Sequence, residues 1–317
     1  MDAKDKRILK ELIVNSRIPI SMLAKKVGVG REVALYRINN LKKSVIIGFF
    51  TNINYKLLGF KRYGCYLQLK GITSEKEAKF FEYLNDHPFV TYFGPVIGKW
   101  NVVFDILSRD EQHLQIIVAE IKSNIKEYLE SFVIASTGLE EEIYPTKFVE
   151  VIINQRPKKI PDKKINIDDV DNNILKLLAT NSRIEYSELS KKLKLSANAI
   201  KYRIKNLEKS QAILGYTISV DYTKLDLQCY CIQFKTQGDN QRFISYLRSH
   251  KRVIMYYKHL GQENWDLDIG ILVKDAMELR EFMIEVRNSF ETLKIHDMYL
   301  VTHIIKDNIA PEGIFYS

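Results

Sequence analysis

The chain has 317 residues, 46% apolar and 27% charged, a balance that supports more than one buried core and excludes wholesale disorder. Fourteen glycines and seven prolines are too few for a collagen-like or low-complexity chain. No apolar run approaches the ~20 residues of a membrane helix, and no apolar stretch follows the charged N-terminus. A cytoplasmic protein with no membrane partner and no export signal is therefore expected. Cys65, Cys229 and Cys231 lack metal-ligand spacing, so reduced thiols and no metal are expected, and with no paired-carboxylate, Cys/His or Gly-rich phosphate motif elsewhere no cofactor is expected.

The net charge of +9 is unevenly spread: +8 over residues 1–60, −4 over 61–153, +4 over 154–164, +2 over 165–226 and −1 over 227–317. Basic segments alternating with neutral or acidic ones suit modules that face a polyanion, and double-stranded DNA is the leading partner.

In chain order, Ile8, Leu9, Leu12 and Ile13 recur at helical spacing, stop at Asn15-Ser16-Arg17, and give way to Leu23, Ala24 and Val27. Gly28-Val29-Gly30 breaks the second helix, and a third over about 31–43 keeps Ala34, Ile38 and Leu41 on one face. Three short helices with a tight turn before the last predict a helix-turn-helix. The aromatic and β-branched stretch 46–54 predicts a strand, and with it a small wing. Residues 61–153 then alternate strand, helix, strand, strand, helix, strand, with strands over 63–70, 89–97, 100–108 and 131–137 and helices over 74–86 and 110–128. That βαββαβ order predicts an antiparallel sheet with two helices on one face, the ferredoxin-like arrangement.

The whole pattern then recurs. Residues 5–44 and 171–210 share 20 of 40 positions without a gap, so the chain is a tandem duplication. Lys194-Leu195-Ser196 forms the second turn, with Ser196 as an N-cap, and Ile200, Ile204 and Leu207 form the inner face of the next helix. The fold class expected is α+β, a winged helix-turn-helix followed by a ferredoxin-like βαββαβ domain, twice over. The segments are 1–60 and 61–153, a Pro- and Lys-rich linker over 154–167, then 168–227 and 228–317.

A third helix lying in a major groove reads bases with its outward side chains. These are Arg31, Glu32, Leu35, Tyr36 and Asn39 in the first copy, and Asn198, Lys201, Tyr202 and Lys205 in the second, with Ser196 at the helix start. Arg31, Lys201 and Lys205 suit guanine O6/N7 or phosphate, and Asn39 and Asn198 suit adenine. Lys25, Lys26, Lys191 and Lys192, at the ends of the second helices, suit phosphates regardless of sequence. Arg37 and Arg203 border core positions, where an internal salt bridge and a DNA contact are equally open.

Asp5-x-x-Ile8-Leu9, Asn15-Ser16-Arg17-Ile18, Leu23-x-Lys25-Lys26, Tyr36-Arg37-Ile38-x-Asn40-Leu41 and Ile46-x-Gly48-Phe49, leading into a βαββαβ domain and repeated in the second half, resemble the Lrp/AsnC (leucine-responsive, feast/famine) transcription regulators. The resemblance implies a DNA-binding regulator, here a covalent pseudo-dimer, that forms homo-oligomers through its βαββαβ domains. It also implies an amino-acid-like effector near the turn between the second and third strands of each domain. The family's Gly-x-x-Asp corresponds there to Gly98, Trp100 and Asn101 in one copy and to Gly261, Trp265 and Asp266, in a longer loop, in the other. The same glycines also suit plain hairpin turns.

Siroheme decarboxylases share this plan, which keeps an enzyme of heme biosynthesis open as the alternative. Tyr92-Phe93-Gly94-Pro95 and Tyr256-Tyr257-Lys258-His259 lack the His-Asn-Tyr-x-Arg run such chemistry implies. They leave only His259 as a candidate, and a surface histidine is the plainer reading of it. The expectation is a protein that is not an enzyme.

Overall fold

The structure, a computed structural model, describes residues 1–143, 167–236, 240–260, 263–308 and 310–315. Most of the expected linker lies outside these residues. The chain folds as two compact units, each built from both copies of the repeat. Among the described residues no helix is long and apolar enough to cross a membrane.

The first unit combines residues 1–60 and 167–221 with residues 307–308 and 310–315. Its helices are α1 (Ala3–Val14), α2 (Ile20–Val27) and α3 (Arg31–Ser44), matched by α6 (Asp169–Thr180), α7 (Tyr186–Leu193) and α8 (Ala197–Lys209) in the second copy. Asp2 and Asp168 start α1 and α6 by accepting backbone N–H bonds. Gly28 ends α2 in the left-handed region at φ +72°, and Lys194 ends α7 in the same region at φ +54°. A side chain there costs about 1 kcal/mol that glycine avoids, so Lys194→Gly is expected to raise the stability of this unit by up to about 1 kcal/mol, read as a higher midpoint in urea.

The expected wings take a different form. β1 (Ile46–Ile53) and β6 (Ile213–Val220) pair with each other, antiparallel, to make a two-stranded sheet shared by the copies. Each copy supplies one strand here, and the other copy satisfies the backbone groups a lone strand leaves open. The bonds around it are reciprocal. Ser16 N–H donates to Tyr216 O (3.1 Å) and Ser182 N–H to Phe49 O (2.9 Å). Thr51 Oγ1 donates to Leu178 O (2.7 Å) and Thr217 Oγ1 to Ile13 O (2.9 Å). On the pseudo-two-fold axis the buried hydroxyls of Ser16 and Ser182 meet at 2.5 Å. The end of the chain also belongs to this unit rather than to the second βαββαβ segment: Asp307 accepts from Ser219, Lys176 pairs with Glu312 (2.5 Å), and Ile314 and Phe315 are buried.

The second unit holds both βαββαβ segments. The first contributes β2 (Lys61–Leu69), α4 (Ser74–Asp86), β3 (Val90–Ile97), β4 (Val102–Ser108), α5 (Glu111–Asn124) and β5 (Leu129–Ile143). The second contributes β7 (Gln228–Lys235), α9 (Gln241–Ser249), β8 (Val253–Leu260), β9 (Leu267–Val273), α10 (Ala276–Ser289) and β10 (Lys294–Val301), with a short β11 (Lys306–Asp307) beside β3. The last strand of each segment runs on into the other segment's sheet: β5 pairs with both β2 and β8, and β10 with both β7 and β3. Among the described residues, eight antiparallel strands therefore close into a barrel, which leaves no sheet edge to manage between the halves. β2 reads as a nearly continuous buried run because it is covered on both faces.

Alternate residues of each strand face outward onto the helices. Cys65, Leu67 and Phe104 pack with Phe80, Leu84, Ile117 and Ile121, while Phe234, Leu267 and Ile269 pack with Phe243, Leu247 and Phe282. The inward residues of both copies form a third cluster of Tyr66, Val96, Trp100, Val103, Cys231, Trp265, Tyr299 and Val301.

His87, which ends α4, is buried, with Lys306 donating to its carbonyl (3.0 Å) and Phe89 N–H donating to its Nδ1 (3.2 Å). Burial, then the Lys306 and His113 charges, push its pKa down to about 4. The unfolded chain thus takes up this proton first. Its contribution to stability is complete above the ordinary histidine pKa and is lost as pH falls toward 4. Relative to a His87→Gln variant, the wild-type chain is expected to lose on the order of 1–2 kcal/mol between pH 7 and 4.5 in chemical unfolding.

Candidate nucleic-acid interface

α3 buries Ala34, Ile38 and Leu41, and α8 buries Ile200, Ile204 and Leu207. This spacing fixes which side of each helix is left bare. Arg31, Glu32, Leu35, Tyr36 and Asn39 are exposed on α3, and Asn198, Lys201, Tyr202 and Lys205 on α8. Tyr36 and Tyr202 occupy equivalent positions and are each 67% exposed. Lys25, Lys26, Lys191, Lys192 and Ser196 are exposed as well.

Few of these side chains are held by other parts of the fold. Lys26 pairs with Glu11 (2.6 Å), Lys192 with Glu188 (3.4 Å) and Arg31 with Glu32 (3.4 Å), all at the surface, where such pairs contribute little and exchange readily for a phosphate. The Ser196 hydroxyl accepts from Ala199 N–H (3.2 Å) and so caps the start of α8.

Arg37 and Arg203 turn inward. Arg37 bridges Asp2 (2.8 Å) and Asp5 (2.7 Å), and Arg203 bridges Asp168 (2.7 Å) and Asp171 (2.9 Å). The two helix-capping aspartates lie below the usual carboxylate range because backbone N–H groups and then these arginines stabilise the charged form. Both arginines thus tie the third helix of a copy to its first.

The residues expected near an effector have structural partners. Gly98 has φ +154°, and a Cβ there would lie 2.8 Å from Met298 O. Asn101 Oδ1 accepts from Leu69 N–H (2.6 Å) and Asp266 Oδ1 from Thr236 N–H (2.9 Å), so each fastens its turn to the end of the neighbouring strand. Trp100 and Trp265 are buried, each 5.6 Å from the Tyr66 ring. Gly261 lies outside the described residues.

Sequence reasoning missed a buried polar group inside the barrel. Tyr66 donates its hydroxyl hydrogen bond to the Asp268 carboxylate, which also lies 3.1 Å from His259 Nε2. His259, expected at the surface, is buried. Burial, then the Asp268 charge, push the Tyr66 hydroxyl well above its ordinary pKa and keep it a neutral donor. The signal available in the sequence was a lone aspartate within the apolar stretch 267–273.

Paired helix-turn-helix modules with bare third helices, together with a barrel of two βαββαβ halves, define a duplicated helix-turn-helix protein. The AsnC-type helix-turn-helix domain matches the chain twice, over residues 1–42 and 167–208. The regulator LrpC of Bacillus subtilis is 33% identical over 116 residues, which cover 36% of this chain and 81% of LrpC. An HTH-type transcriptional regulator of Pyrococcus furiosus is 29% identical over 150 residues, 47% of this chain and 99% of that protein. The chain belongs to the Lrp/AsnC family, with two family units joined in one polypeptide.

Among solved structures, the siroheme decarboxylase NirDL, in complex with an iron-uroporphyrin III analogue, matches with a TM-score of 0.63 at 15% identity, over 98% of this chain and 96% of that one. This corrects the expectation that the chain is not an enzyme: a protein of the same layout, matched end to end, is one. Catalytic groups converge in space from separate strands, so the lack of a contiguous motif does not set catalysis aside. At 15% identity the likeness establishes the shared fold.

Proposed function

We propose that the chain is a sequence-specific DNA-binding transcription regulator that acts as a covalent pseudo-dimer, its two third helices presented by one shared unit. The observation that carries this reading is that every residue assigned to DNA contact from the sequence is exposed, on equivalent faces of α3 and α8, at the ends of α2 and α7 and, for Ser196, at the cap just ahead of α8. Binding to duplex DNA is expected to weaken steeply with salt, with a slope set by the number of phosphates neutralised. A mobility-shift titration across salt concentrations tests this, and a flat response removes nucleic acid as the partner.

An amino-acid-like effector belongs to the same proposal. A thermal-shift screen against amino acids tests it, since a ligand that binds the folded state raises the melting temperature with its concentration. Association of whole chains falls to the outer helix layer, where Ile116 on α5 and Met277 on α10 are exposed, because the barrel strands are paired within the chain. The end-to-end likeness to NirDL supports a second reading, a tetrapyrrole enzyme. A tetrapyrrole absorption band in the purified protein would favour it over DNA binding.

A further inference from the structure

The repeated Asn-Ser-Arg-Ile segment does more than join the copies. Arg17 Nη1 donates to the carbonyls of Ser182 and Ile184 (3.1 Å to the latter), and Arg183 Nη1 to those of Ser16 and Ile18 (3.3 Å to the latter). The bonds are reciprocal and draw two like-charged guanidinium groups together at the pseudo-two-fold axis. Burial and then the Arg17 charge lower the pKa of Arg183, so the two cations feel each other. Both line an open cavity of about 410 Å³, together with Pro19, Glu185, Tyr186 and Ser187. The Arg17 guanidinium also sits 5.1 Å from the centre of the Tyr186 ring.

Glu185 is the single carboxylate in this lining, and its acceptor contact is with the Ser187 hydroxyl (3.3 Å). Two guanidinium groups against one carboxylate leave the cavity with a positive balance. Guanidinium forks match the oxygens of a phosphate or carboxylate. We propose that this cavity is a binding site for a phosphate-type oxyanion, held between Arg17 and Arg183.

The oxyanion has two sources, free phosphate or a DNA backbone phosphate crossing the axis. The second rests on the DNA-binding reading and the first does not. The test uses the full chain and four proteins: wild type, Arg17→Gln, Arg183→Gln and Glu185→Gln. Inorganic phosphate is titrated by thermal shift at fixed ionic strength, and a random-sequence duplex by anisotropy across salt concentrations.

A free-oxyanion site predicts phosphate stabilisation of wild type, binding about three- to tenfold tighter in Glu185→Gln, and loss of the response in either arginine variant. A backbone-phosphate site predicts no phosphate response, a salt slope reduced by about one in each arginine variant, and tighter duplex binding in Glu185→Gln. The absence of both patterns overturns the proposal and leaves the arginines as ties between the copies. Glu185→Gln breaks none of the bonds between copies described above. It keeps the test decisive if an arginine variant fails to fold, and the phosphate arm is readable even if the chain binds no DNA.

Discussion

Tyr66→Phe is expected to destabilise the barrel unit by about 3 kcal/mol or more, because it removes a donor from the buried Asp268 carboxylate. Asp268→Val is expected to cost a similar amount by leaving the Tyr66 hydroxyl and His259 Nε2 without their acceptor. The triple variant Tyr66→Phe, Asp268→Val, His259→Val replaces the whole group by apolar side chains. It is expected to recover most of that loss, since a buried polar group costs most when half dismantled. Urea unfolding followed at the barrel's own tryptophans checks all three, and additive losses in the triple variant would contradict the account.

Among the described residues this group occurs once, not twice. Tyr66 pairs across the sheet with Val103, and at the equivalent place in the second copy Gln233 pairs with Asp268. The barrel therefore joins two unlike halves through a contact that neither half would make with its own duplicate.

The second large effect concerns α8. Lys201→Ala with Lys205→Ala is expected to weaken binding to a selected duplex by about 1–3 kcal/mol for each base no longer read, roughly tenfold or more overall. Lys191→Ala with Lys192→Ala should act differently: affinity falls about equally for selected and random duplexes, and the salt slope drops by about one per lysine. Arg203→Ala is the contrasting control. Its guanidinium ties α8 to Asp168 and Asp171, so its removal should appear in stability of the helical unit before affinity. An unchanged dissociation constant for the Lys201/Lys205 variant at fixed salt removes α8 from the reading surface.

Local patterns carried far in this sequence. Ala34, Ile38 and Leu41 identified the inner face of α3, and the bare positions between them are the ones exposed in the fold. The βαββαβ order was legible because three of its helices, α4, α5 and α10, start at capping residues, Thr73, Asp110 and Asp275. Pairings between copies were not legible. The hydrophobic period of residues 46–53 shows a strand but not its partner, and here that partner lies about 167 residues away. Ser16 and Ser182 are small polar residues whose meaning appears only when the copies meet. Barrel closure depends likewise on β5 and β10 running past their own sheets, which residue alternation within either strand does not encode. The inward polar group was hidden for the same reason, since Tyr66 and Asp268 are 202 residues apart.

The central claim is that one chain holds two unlike reading helices against one duplex. Hydroxyl-radical footprinting of the wild-type protein on a duplex selected from a random pool tests it most directly. Two protected half-sites of different sequence, about 34–36 Å apart along the duplex and bound by a single chain, are the expected result. A strict palindrome, or a single protected half-site, would contradict it.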